Sequence, residues 1–219
     1  PWHDQVPEQV FLEAILPHAS VNERRDAWRK PFNELCAPFV VNADSPAAAA
    51  AMLNNVVFPK VGVKYSTKRP KADQSPFESM DAGMASCTGL SVLLVDACRS
   101  VGVPARFVGT PLWTDGSGNH SWVEIWHDGD WHFTGAAEPT GDALNKAWFT
   151  SQASGAIEGD PQHAIFAATW RDVPSHFPMS WRPDDMTVGG IDVTHRYVGG
   201  DSAVPDGSAR LRIRVIDEE

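Results

Sequence analysis

The chain has 219 residues, a formal net charge of −10, and ordinary proportions of apolar (42%) and charged (21%) residues. That is enough for one medium domain, or one domain with a small appendage, and the acidity argues against a nucleic-acid binder. The short basic run Lys64, Lys68, Arg69 and Lys71 reads as a solvated loop. No stretch reaches the roughly 18 apolar residues of a membrane span.

In chain order, Gln9–Pro17 reads as a short helix, and Asn22–Phe39 as a longer one with Trp28, Phe32 and Leu35 on its buried stripe. Ser45-Pro46 ahead of Ala47–Ala51 is a helix start, with a hydroxyl N-cap and Pro at the first position. This helix is expected to run to Phe58. Val61–Tyr65 reads as a strand, and the polar Ser66–Ser79 as a long loop. Ser86–Val101 is the strongest helix, with Leu90, Leu93, Leu94 and Ala97 on its buried face and Gly102 ending it. Pro104–Gly109, His120–Trp126 and Trp131–Thr134 read as strands, the last two joined at Asp128-Gly129, a strong hairpin signal. Asn145–Ser151 is a weak helix, Ala164–Thr169 a weak strand, and Pro174–Asp185 irregular. Arg210–Ile216 alternates as a half-buried strand. The organisation expected is an N-terminal helical region (1–60), a core (61–198), and a C-terminal strand (199–219) that could open a further β module. The chain begins at Pro1, so a longer precursor is expected.

Three cysteines, Cys36, Cys87 and Cys98, make an odd set that does not resemble a disulfide framework. No spacing suggests a zinc site, and neither metal nor cofactor is expected. Cys98 lies three turns beyond Cys87 on the same helix and reads as core, as does Cys36. Cys87 stands at the first turn of the strongest helix. There, unsatisfied N–H groups and the helix dipole favour a thiolate, and the same groups can receive an oxyanion. A small buried thiol fits the segment equally well.

His120 opens a strand after a Gly-rich turn. Antiparallel pairing across Asp128-Gly129 sets it opposite residues 136 to 138. Glu138 is therefore a candidate to hold its imidazole; the alternative is a turn cap before Pro139. Trp122, two residues on, shares the strand face of His120 and is a candidate shield, and Trp113 a candidate cleft wall. His127 and His132 flank the turn as surface residues.

The segments MASCTGL, RSVGVPARFVG, NHSWVEIW and DGDWHFTGAAEP together resemble the transglutaminase-like superfamily. That family has a GxC nucleophile helix ending in a GIPAR-type turn, a HAWvEv strand, and a returning gWxxxDp strand. The resemblance covers about Val61–Pro139, a third of the chain. It implies an α+β, papain-related fold, with the nucleophile helix packed against an antiparallel sheet. It also implies a bacterial-type enzyme in which Cys87 is nucleophile, His120 its base, and the Cys87 N–H an oxyanion donor. Gln74 and Tyr65 are candidates for the second donor. Two positions depart from the pattern: Ala85 replaces the Gly of GxC, and Gly135 stands where the family has its third catalytic residue, an Asp. Glu138 is the nearest carboxylate.

The reaction implied is acyl transfer at an amide or peptide carbonyl through a thioester, with hydrolysis preferred over transamidation. Peptides, proteins or small amides would be substrates. A thiol esterase and an impaired binding or scaffold module are the alternatives. The compartment is open, with a periplasmic or secreted setting preferred.

Overall fold

The computed structural model describes residues 2–198 apart from residue 142. The expected strand at Arg210–Ile216 lies outside the described residues. Among these the elements run α1 (Glu8–Ala14), α2 (Arg29–Val40), α3 (Pro46–Val61), β1 (Lys64–Tyr65), α4 (Pro76–Ala82), β2 (Met84–Ala85) and α5 (Cys87–Ser100). Then come β3 (Ala105–Thr110), β4 (His120–His127), β5 (Asp130–Thr134), α6 (Thr150–Ser154), β6 (Phe166–Thr169) and β7 (Gly189–Asp192). The architecture is α+β: an antiparallel five-stranded sheet, ordered β5-β4-β3-β6-β7, with α5 packed on one face. A separate parallel pair, β1 and β2, leads into α5.

The odd positions of β4 carry the α5 side. Val123 and Ile125 join Leu90, Leu93, Leu94 and Ala97 in the largest apolar cluster, with Trp28, Phe32 and Leu53 from the outer helices. Burying each such large side chain contributes about 1.5–3 kcal/mol. α5 is buried well beyond the expected stripe, from Thr88 to Ser100 on every side, because α2, α3 and α4 cover what the sheet does not. Its two central charges are therefore internal. Arg99 donates to the carbonyls of Ala14, Pro17, Ala19 and Ala105, tying the N-terminal segment to β3. Asp96 sits in the same interior, and burial together with Glu23 pushes its carboxyl pKa well up.

Four local expectations are revised. The helix expected from Asn22 begins at Arg29. Glu23 turns back to accept from the N–H groups of Ser20 and Val21, and Asp26 accepts from the N–H of Phe77, so 22–28 is held as a strap. α3 continues past Phe58 to Val61 and stops at Gly62, in the left-handed conformation with φ of 71°. The expected loop 66–79 ends at Ser75, the N-cap of α4. The Ser75 hydroxyl accepts from Glu78 N–H while the Glu78 carboxylate accepts from Ser75 N–H. The strand expected at Val61–Tyr65 shrinks to Lys64–Tyr65.

Candidate active site

Three elements meet at one end of the sheet. α5 brings Cys87, capped by the Ser86 hydroxyl, which accepts from Gly89 N–H. Ser86 in turn donates to the carbonyl of Ala72, which anchors the helix start to the preceding loop. β4 brings His120 as its first residue, paired with Thr110. The hairpin returns as β5 and the turn beyond it, which carry Gly135 and Glu138.

Cys87 is partly buried. Burial pushes its thiol pKa up, while the backbone N–H groups and hydroxyls of Ser121 and Thr88 act on the sulfur in the opposite sense. These two hydroxyls are 3.2 Å apart, bridging the first turn of α5 to the first residues of β4. Sequence reasoning missed Ser121 and Thr88. The signal was their adjacency to the two candidate residues.

His120 is only 6% exposed. Its ring is surrounded by the rings of Phe149 (4.7 Å between centroids), Trp148 (5.0 Å), Trp122 (5.8 Å) and Trp113 (6.1 Å). Burial lowers its pKa from 6.5 to about 4, so at neutral pH both imidazole and thiol rest uncharged. Its Nε2 is buried and carries no hydrogen bond. Such an atom forgoes about 1–3 kcal/mol unless a partner reaches it.

The β4–β5 ladder runs from His127↔Asp130 to Val123↔Thr134 and ends there. Residues 135–138 then turn, with Glu138 N–H donating to the Gly135 carbonyl, so the expected pairing of His120 with residues 136–138 does not form. Nor does Glu138 bond His120. Its Oε2 accepts from the indole Nε1 of Trp148 at 2.8 Å. Its side chain folds over Gly135, where a built Cβ would stand within 2.3 Å of Glu138 Oε2 and 3.1 Å of Glu138 Cβ. The Glu138 carboxylate thus occupies the space that a side chain at position 135 would fill. Burial raises its pKa, and the Trp148 bond opposes this in part.

The aromatic candidates fall as follows. Trp122 and Trp113 are buried and stack at 5.9 Å with planes 9° apart. Trp122 Nε1 donates to the Tyr197 hydroxyl, which donates to Glu124, which pairs with Arg106. This chain fixes the wall behind His120. Trp148 went unrecognised in the sequence, because a loop residue carries no periodic signal.

Gln74 is buried, and its amide donates to the carbonyls of Glu78 and Met84, so both of its N–H groups are committed to bracing the turn ahead of Cys87. The structure therefore does not offer it as an oxyanion donor. Next to Cys87, a Cβ built at Gly89 would meet Ala85, Ser79 and Gln74 within 3.4 Å. Tyr65 is exposed, and lines a cleft of about 510 Å³ with Asn54, Leu90, Ala137 and Glu138. Among the described residues there is no group of three His, Cys, Asp or Glu side chains able to hold a metal ion, and no helix is long and apolar enough to cross a membrane.

Residues 33–135 match the family model described as the Transglutaminase-like superfamily. No curated protein matches the chain. Among solved structures it is similar to a proposed cysteine protease from Cytophaga hutchinsonii (15% identity, TM-score 0.43, covering 74% of this chain and 57% of that one). It is also similar to the periplasmic domain of TgpA from Pseudomonas aeruginosa, bound to ethylmercury (18%, TM-score 0.37, 51% and 45%). A third is a TGase (16%, TM-score 0.40, 55% and 34%). The chain thus spans between about a third and somewhat over half of the length of these three. The similarity to that family therefore rests on residues 33–135, which lie within the α+β arrangement described above.

Proposed function

We propose that the protein is a cysteine-dependent acyl-transfer enzyme acting on amide or peptide carbonyls, with Cys87 as nucleophile, His120 as general base and acid, and Glu138 as the supporting carboxylate. The observation that carries this reading is the convergence of the α5 N-terminus on the first residues of β4, where Ser121, the residue after the buried His120, and Thr88 face the Cys87 sulfur.

The chemistry follows from the resting state. His120 is neutral, so it can take the Cys87 proton as the sulfur attacks a carbonyl carbon. The oxyanion forms beside the N-terminal N–H groups of α5. The imidazolium then gives its proton to the departing amine, leaving a thioester on Cys87. Water or a second amine, deprotonated by His120, takes the acyl group and frees the thiol. Water is the acceptor preferred here, and peptides, proteins or small amides are the substrates. Incubation with a panel of peptide amides and esters, with and without an added amine, tests the reading. An acyl adduct on Cys87 by mass spectrometry, absent in Cys87→Ala, is the expected result. No adduct and no turnover across the panel would reject it.

One observation favours a second reading, a non-catalytic binding module. Gly135 removes the family carboxylate, and His120 Nε2 has no partner. A folded protein with no adduct and no turnover across the panel would leave this reading in place.

A further inference from the structure

His120 is walled by four aromatic rings, and three of them, Trp113, Trp122 and Phe149, are buried. The fourth, Trp148, is 59% exposed. It therefore forms the outer wall of the imidazole pocket, the one solvent or substrate reaches. The same residue holds Glu138: its indole N–H donates to Oε2 at 2.8 Å while its ring lies 5.0 Å from that of His120. His120 Nε2 is buried with no partner.

Position 135 follows directly on β5, beyond the last β4–β5 pair, Val123↔Thr134. The Glu138 carboxylate already occupies the place of a side chain at 135. It lies where a triad carboxylate belongs, yet its bond goes to Trp148.

We propose that Trp148 is a positioning residue that latches Glu138 away from His120, so that the site rests incomplete and is completed when a substrate displaces the exposed indole. This rests on the acyl-transfer reading of Cys87 and His120. Once the N–H of Trp148 leaves, the Glu138 carboxylate loses its hydrogen-bond donor. The buried Nε2 of His120, on the ring that Trp148 also lies against, is the unpaired group it would then take. Pairing the two favours the imidazolium, and with it the Cys87 thiolate. Gly135 makes the arrangement possible, because any Cβ there would collide with the latched carboxylate.

Trp148→Phe keeps a ring over His120 and removes only the N–H. The readout is the rate of iodoacetamide labelling of Cys87 at pH 6, by mass spectrometry, in wild type, Trp148→Phe and Trp148→Phe/Glu138→Gln. A shift of one pKa unit in the pair gives about a tenfold faster rate, and that is the expected result in Trp148→Phe. The gain should disappear when Glu138→Gln is added. In Trp148→Phe the His120 imidazole should titrate higher by NMR. Labelling in Trp148→Phe that is no faster than wild type, or a gain that persists with Glu138→Gln, overturns the latch. If wild-type labelling still falls in His120→Ala, the acyl-transfer reading survives that failure. If no background shows dependence on His120, both fall together.

Discussion

The two ends of the β4–β5 hairpin hold carboxylates in opposite conditions. Toward the turn, Glu124 is buried and saturated: Arg106 donates through Nε and Nη2 at 2.7 and 2.6 Å, and the Tyr197 hydroxyl donates at 2.7 Å. Arg196 lies 3.6 Å away and also bonds Asp130 and the carbonyl of Trp131. At the open end, Glu138 has one neutral indole donor, and His120 Nε2 has none. The first arrangement holds the sheet together. The second leaves hydrogen-bonding capacity unspent beside a thiol, where a reaction could use it. The difference teaches that burial of a charged group does not by itself mark a reactive site, since the buried Glu124 is fully satisfied while Glu138 and His120 are not.

The largest expected effect tests the saturated end. Arg106→Ala strands a buried carboxylate, and should cost about 3–5 kcal/mol of stability in urea unfolding. A loss under 1 kcal/mol would mean that Arg196 and Tyr197 suffice.

Next is the pH dependence of the open end. The His120 pKa is lowered by burial to about 4 from 6.5. Above pH 6.5 it is neutral in both states and contributes no slope. As pH falls from 6.5 to 4, the unfolded chain takes up the proton first. Stability should fall by about 3 kcal/mol over that window. Asp96 and Glu138, whose pKa values are raised, tilt the opposite way. The prediction is therefore read as the difference between wild type and His120→Gln, which should shrink or reverse on acidification. A difference independent of pH would contradict the buried neutral imidazole.

Glu138→Gln should separate the two ends cleanly. It should change stability by under about 1 kcal/mol, since the carboxylate is partly exposed and makes one bond. Turnover on whichever substrate the panel yields should drop by on the order of 10²-fold. A smallest effect is expected at Gly89→Ala. Its Cβ would meet Ala85 at 3.0 Å, costing about 1 kcal/mol or less by crowding. A large loss of turnover there, with stability intact, would point to a substrate contact instead.

Much of the frame was legible because it is written in local patterns. The Ser86 cap, the apolar run of α5, the Asp128-Gly129 turn and the alternation of β4 each follow from short-range rules, and together they set the register within one residue of the observed pairing. α4 was missed, although Ser75-Pro76 with Glu78 spells a capping box, because its polar neighbours read as loop. The strap 22–28 was not, because Asp26 reaches a partner 51 residues away. β7 was missed for a similar reason: Gly189–Asp192 carries little strand propensity and is formed by its partner β6. At the site, Cys87, His120 and Glu138 could be picked from residue type and spacing. Trp148 could not. Its hydrogen bond to Glu138 arises from how the loop after β5 folds back, which no period in the sequence encodes.

The most direct test of the central claim is selective alkylation at pH 7 in wild type and His120→Ala, with the adduct mapped by mass spectrometry. Cys36 and Cys98 are buried with raised thiol pKa values, so the label should report Cys87 alone. The account predicts labelling at Cys87 that slows about tenfold or more without the imidazole. Labelling at the same rate in both proteins, or none at Cys87, would contradict it.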